Sequence, residues 1–253
     1  MNIRGEQVLV TGGCGGIGLA IAQRFLEHEK KVILCDIDTS AGEKLAADNP
    51  SVSTIQCDLS DTSQIEAKLR DLLQSETAPE ILCNNVGISP RLDEEGNRLN
   101  TGTISLALWD KIIATNLTSY FYCSQLAIPR MMDRGYGRII NTASIAARTG
   151  SFSSQCPYTA SKAGVLGLTK ALGRELAPHG ITVNAVNPSR VPTAITHEPN
   201  WDQLNEQYVK NMPIGRMANP DDIAKTFIFL ASDHADFMTG TALEVNGGLY
   251  VGP

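Results

Sequence analysis

Residues 6 to 18, EQVLVTGGCGGIG, set a short apolar run directly before a turn with almost no side chains, and that turn opens an apolar-periodic segment from Ile17 to Leu26. A strand feeding a helix through such a turn begins a βαβ unit, which commits the chain to a parallel sheet. The same turn lets backbone N–H groups approach a pyrophosphate, while the dipole of the following helix favours the anion. Gly12, Gly16 and Gly18 follow the spacing Gly-x-x-x-Gly-x-Gly rather than Gly-x-Gly-x-x-Gly. A flexible glycine-rich turn is the plain alternative, but the position between a strand and a helix favours the phosphate-binding reading.

A second strand, 31–36, ends in Asp36, about 20 residues beyond the glycines, where a carboxylate can accept from both ribose hydroxyls of an adenosine and repel a 2′-phosphate. Neither Cys14 nor Ile37 is basic, so the expected cofactor is NAD rather than NADP. Asp36 could instead cap a helix beginning near Ser40.

Strand-like runs at 7–11, 31–36, 52–57, 79–84, 136–143, 180–186 and 241–245 alternate with helical patterns. The expectation is an α/β fold: a single Rossmann-type domain over 1–253, a doubly wound parallel sheet of about seven strands with helices on both faces. No repeat or long linker divides the chain. The segment 188–213, proline-rich with Trp201 and Tyr208, reads as a substrate lid.

Within PYTASKAG, Lys162 follows Tyr158 by four residues, about one helical turn, so the phenol and the ammonium share a face. A cation beside a phenol favours the phenolate and lowers its pKa toward the range useful for acid–base work. Tyr158 therefore reads as the proton-transfer residue and Lys162 as its tuner, against an ordinary amphipathic helix carrying both. Ser144, after the fifth strand, could donate to a substrate oxygen as charge develops, or simply form a turn.

Several elements together resemble the short-chain dehydrogenase/reductase family over about 5–248. Thr11-Gly12-x-x-x-Gly16-Ile17-Gly18 matches its cofactor loop, Asn84-Asn85-Val86-Gly87 its Asn-Asn-Ala-Gly element, and Asn187-Pro188 with Thr193 the loop over nicotinamide. Asn116, Ser144, Tyr158 and Lys162 match its catalytic tetrad. Departures are Val86 for Ala, Ser189 where Gly commonly follows the proline, and one extra residue between Ser144 and Tyr158. The resemblance implies that Asn116 keeps a water relay, that Lys162 also binds ribose and that Thr193 meets the carboxamide. It places Gly12, Gly16, Ile17, Gly18, Asp36, Asp58, Asn85, Gly87, Tyr158, Lys162, Pro188, Val191 and Thr193 against the cofactor. Asp58 would meet the adenine amino group, or alternatively cap the helix near Asp61.

The implied activity is NAD-dependent hydride transfer between a secondary alcohol (a sugar, polyol or hydroxy acid) and its ketone or lactone. Alternatives are a 3-oxoacyl-thioester reductase acting on acyl carrier protein, which the LEVNGGLY run also resembles, and a non-catalytic dinucleotide-binding regulator. A homotetramer is implied, with helices around 106–133 and 157–178 and the tail 243–253 as contact surfaces.

A net charge of −6 and a pI near 5.2 argue against nucleic acid as the main partner. No apolar stretch reaches membrane-spanning length and no cleavable leader is evident, so a cytoplasmic location is expected. The cysteines at 14, 35, 57, 83, 123 and 156 and the four histidines lack metal-ligand spacing, so no metal is expected. Arg91, Arg98, Arg148 and Arg190 fall in loops at the ligand-bearing edge. They raise an anionic or polyhydroxylated substrate as one expectation, with solvated charges paired to Asp93, Glu94 and Glu95 as the other.

Overall fold

The computed structural model describes residues 1–93, 95–150, 155–193 and 201–252. Seven strands, β1 (Gln7–Thr11), β2 (Lys31–Asp36), β3 (Val52–Gln56), β4 (Ile81–Asn84), β5 (Gly137–Thr142), β6 (Ile181–Pro188) and β7 (Ala242–Val245), form one sheet in the order β3-β2-β1-β4-β5-β6-β7. Every neighbouring pair is parallel. The order reverses between β1 and β4, which opens a crevice at their carboxyl ends.

The strands are apolar on both faces because helices cover both. Val8 and Val10 pack on one side with α1 (Gly16–Glu27) and α9 (Pro220–Ala231). Leu9 between them packs on the other side, in a layer fed by α3 (Thr62–Gln74), α5 (Ser119–Arg134) and α7 (Cys156–Leu176). This period of two within a continuous apolar run is what a doubly covered parallel strand requires. The remaining helices are α2 (Ser40–Asp48), α4 (Leu106–Ile113), α6 (Ala146–Thr149) and α8 (Trp201–Asn211).

One helix departs from expectation. The long helix read over 106–133 is divided by a π-turn, Ala114–Thr118, between α4 and α5. Asn116 lies inside it, and such turns re-aim a side chain by inserting one residue per helical turn. Strand β6 also runs two residues beyond the expected 186, to Pro188, because Asn187 and Pro188 still pair with Glu244 and Val245. Among the described residues no helix is long and apolar enough to cross a membrane.

Candidate active site

A cavity of about 390 Å³ lies along the strand tips on both sides of the reversal point, within the ~300–1,000 Å³ usual for small-molecule sites. Its floor is built by close backbone approach. Gly12 adopts φ +61°, and a Cβ on Gly18 would stand 2.1 Å from the Gly12 carbonyl oxygen, so neither position accepts a side chain without moving the turn. The Thr11 hydroxyl accepts from the Asn85 amide at 3.0 Å, and Asn85 Nδ2 donates to the Gly12 carbonyl at 3.0 Å, binding the loops after β1 and β4 together. No side chain caps the N-terminus of α1, which leaves its first amides available to an anion.

At the β2 end, Asp36 accepts from the Cys14 amide (3.0 Å) and the Ile37 amide (2.8 Å) while lining the cavity. It does not cap α2; Thr39 holds that position. Asp58 accepts from the Ser60 amide at 2.9 Å and lines the cavity, whereas Asp61 caps α3 through the Ser63 amide. Asp58 therefore does not cap α3, the alternative that the sequence left open for it. Each position expected against the cofactor, from Gly12 to Thr193, lines this one cavity, as does Ser144.

Tyr158, Lys162 and Ser144 meet at the β5 end. Tyr158 is half-buried. Desolvation pushes its phenol above its ordinary pKa, opposed by a hydrogen bond with Ser144 and by the positive field of Arg91. Lys162 is buried, and burial brings its amine down to about 7. The helical spacing predicts an ammonium that lowers the phenol's pKa, and the structure corrects this. Nζ sits 6.0 Å from the centroid of the Tyr158 ring, and its hydrogen bonds go to the Thr142 carbonyl (2.7 Å) and the Tyr120 hydroxyl (3.2 Å). Dry surroundings dominate both groups because desolvation disfavours each charged form.

Asn116 is fully buried and does not line the cavity. Its Oδ1 accepts from the Ile88 amide at 2.8 Å, and Nδ2 donates to the Ile88 carbonyl (3.0 Å) and to Ser161 (3.2 Å). It therefore clamps the loop after β4 to α7. Gly87 beside it keeps the way to Lys162 open: a Cβ there would lie 3.5 Å from Nζ.

None of the four loop arginines lines the cavity. Arg148 pairs with Glu244 at 3.1 Å. Arg190 is buried, donates to Asn205 at 2.9 Å and stacks over Tyr208 at 5.1 Å. Leu92 and Arg98 form an antiparallel bridge, and Arg91 is the arginine whose charge reaches Tyr158. Glu94, offered as an ion-pair partner, and part of the lid segment (194–200, with the side chains of Trp201 and Leu204) lie outside the described residues. Sequence reasoning missed Lys111 and Thr115, which line the cavity one helical turn apart, and Tyr120. The four-residue step from Lys111 to Thr115 and from Asn116 to Tyr120 was the available signal.

Over 259 residues the chain is 34% identical to a protein named as an uncharacterized short-chain type dehydrogenase/reductase, y4mP, of Sinorhizobium fredii, covering 99% of this chain and 100% of that protein. A family model described as enoyl-(acyl carrier protein) reductase matches residues 12–250. The chain belongs to the short-chain dehydrogenase/reductase family. Like the family, it is an NAD(P)-dependent oxidoreductase acting on CH–OH groups. The 3-oxoacyl-[acyl-carrier-protein] reductase FabG of Vibrio harveyi is 37% identical over 254 residues, covering 99% of this chain and all of the relative. Among solved structures, a 3-oxoacyl-[acyl-carrier protein] reductase from Brucella melitensis with bound NAD superposes with a TM-score of 0.87 at 32% identity, covering 98% of this chain and 92% of that one. A 3-ketoacyl-(acyl-carrier-protein) reductase from the same organism, complexed with NADH, superposes with a TM-score of 0.86 at 29% identity, with 97% and 98% covered.

Proposed function

We propose that this protein is an NAD(H)-linked reductase that converts a 3-oxoacyl thioester to its 3-hydroxyacyl form. The observation that carries the reading is the meeting of Ser144, Tyr158 and Lys162 at one end of a cavity whose other end presents Asp36. Full-length similarity to 3-oxoacyl reductases supports the substrate class. The uncapped start of α1, the glycine floor and the Asp36 carboxylate fit a dinucleotide with free ribose hydroxyls. When bound, the dinucleotide supplies or takes the hydride at its nicotinamide ring.

The chain's own part is the proton. Ser144 and Tyr158, hydrogen-bonded to each other, together present two hydroxyls to one substrate oxygen. In reduction Tyr158 gives its proton to that oxygen, and in oxidation it takes the proton back. A phenol held above its ordinary pKa stays protonated at neutral pH, which suits the reductive direction. Lys162, held behind Tyr158, would reach the nicotinamide ribose past Gly87. Asn116 fixes the loop through Ile88 and keeps the proton relay to solvent, and Thr193 would hold the carboxamide.

A second reading has an observation of its own: Arg91 acts on Tyr158 from the long polar loop after β4, which favours a small polar or anionic alcohol oxidised with NAD. Assays with acetoacetyl thioester and either NADH or NADPH, beside sugars, polyols and hydroxy acids with NAD, decide between them. The proposal expects thioester reduction, faster with NADH. Oxidation of a polyol or hydroxy acid with no thioester reduction supports the second reading, and dinucleotide binding without turnover supports a regulator. The homotetramer belongs to the same proposal: Leu106 and Phe121 are exposed on α4 and α5, and sedimentation would test whether a second copy covers them.

A further inference from the structure

A buried amine needs something to keep it charged. Among the described residues Lys162 makes no ion pair, yet it is 2% exposed. Around its Nζ lie the Thr142 carbonyl at 2.7 Å, the Tyr120 hydroxyl at 3.2 Å and the face of the Tyr120 ring, whose centroid is 5.0 Å away. Tyr120 is fully buried on α5, and its hydroxyl donates to the Val86 carbonyl at 2.8 Å. The Thr142 carbonyl is the more distant acceptor, at 3.3 Å, so the Val86 bond takes the hydroxyl's one proton and a lone pair faces the ammonium. The residue thereby connects three parts of the site: α5, the loop after β4, and Lys162 on α7.

We propose that Tyr120 is a positioning residue for the reaction, its hydroxyl and its ring together keeping Lys162 charged and fixed behind Tyr158. The inference rests on the reading of Tyr158 and Lys162 given above. Two of the three ammonium protons are held by the Thr142 and Tyr120 oxygens, which leaves one for the contents of the cavity. The ring adds a cation–π contact that gains strength away from water. Tyr120 is not itself a second acid: burial pushes its own pKa far up, so it stays neutral.

The other groups around the amine do not substitute for it. Tyr158 shares its helix, with a ring centroid 6.0 Å from Nζ. Cys123 on α5 is pushed up to about 12 by burial and stays neutral. Arg91, from the loop after β4, acts on Tyr158. Thr142 and Ser144 from the end of β5, and Asn116 from the π-turn, do not titrate.

The test compares pH profiles of ketone reduction for wild type, Tyr120→Phe and Tyr120→Leu, with NADH affinity measured across the same pH range. Losing the hydroxyl acceptor disfavours the ammonium, so Lys162 gives up its proton at lower pH. The alkaline limb of the profile in Tyr120→Phe is expected to move toward acid by about half a unit to one unit, a roughly three- to tenfold change in ionisation constant. Tyr120→Leu, which also lacks the ring, should move it further, and the pH dependence of NADH binding should shift in parallel. In a Lys162→Met background, Tyr120→Phe should change NADH affinity no further. Profiles and affinities that superpose on wild type, or a loss of melting temperature without any movement of the limb, overturn the proposal. Tyr158→Phe run alongside separates the two levels: if it abolishes turnover while Tyr120→Phe leaves the limb in place, only the role of Tyr120 fails. If Tyr158→Phe stays active, the underlying reading fails first.

Discussion

The two ends of the cavity are built in different ways. Over β1, β2 and β3 the walls are main chain: glycines too close to a neighbouring carbonyl to carry a side chain, and an aspartate held by two backbone amides. Over β4, β5 and β6 the walls are loops tied down by side chains. Asn116 grips Ile88, Glu244 holds both Arg148 (3.1 Å) and Asn187 (2.6 Å), and Arg190 is locked to Asn205 and Tyr208. Main-chain walls suit a ligand that never changes, because their geometry comes from the sheet. Walls held by side chains can be retuned one residue at a time, and that is where substrate choice belongs.

The largest effect that would sharpen this contrast is expected from Lys162→Met, at the junction of the two ends. Turnover should fall about 100- to 10,000-fold, the usual contribution of positioned acid–base groups. The same variant has a readout in stability. The folded amine titrates near pH 7 and the ordinary value is 10.5, so between those values the unfolded chain binds the extra proton. Stability must then rise with pH across that window, at most by about 1.4 kcal/mol per unit. Denaturant titrations should find this slope in wild type and its loss in Lys162→Met.

Next comes Asp36→Asn, which removes the charge while keeping a side chain for the two amides. The NADPH-to-NADH ratio of kcat/KM should rise about tenfold, equivalent to ~1.4 kcal/mol. An unchanged ratio would mean that the β2 end does not choose the cofactor. Smallest is Arg148→Ala. Its guanidinium is paired with Glu244 and does not line the cavity, so substrate KM should change less than about threefold and stability by at most ~1 kcal/mol. A tenfold rise in KM would show that the side-chain ties at the β6 end reach the substrate.

Much of the main-chain end was legible in the sequence, for a physical reason. A strand, a glycine turn and a helix can be arranged in few ways, so Gly12, Gly16, Gly18 and Asp36 carry their positions with them. The helical step from Tyr158 to Lys162 placed both residues equally well. It did not reveal what surrounds them: the surroundings come from α5 and from the end of β5, distant in sequence, and burial reversed the expected direction for the phenol. The loop arginines were unreadable for the same reason, since the partners of Arg148 and Arg190 are set by β7 and α8. The π-turn left no periodic signal, because one extra residue within a long amphipathic run barely disturbs its pattern.

The central claim is that Tyr158 transfers the proton, and Tyr158→Phe tests it most directly when NADH binding and turnover are measured on the same preparation. The account predicts NADH affinity within about threefold of wild type and a loss of turnover of at least roughly 100-fold. Turnover close to wild type in a variant that still binds NADH would contradict it.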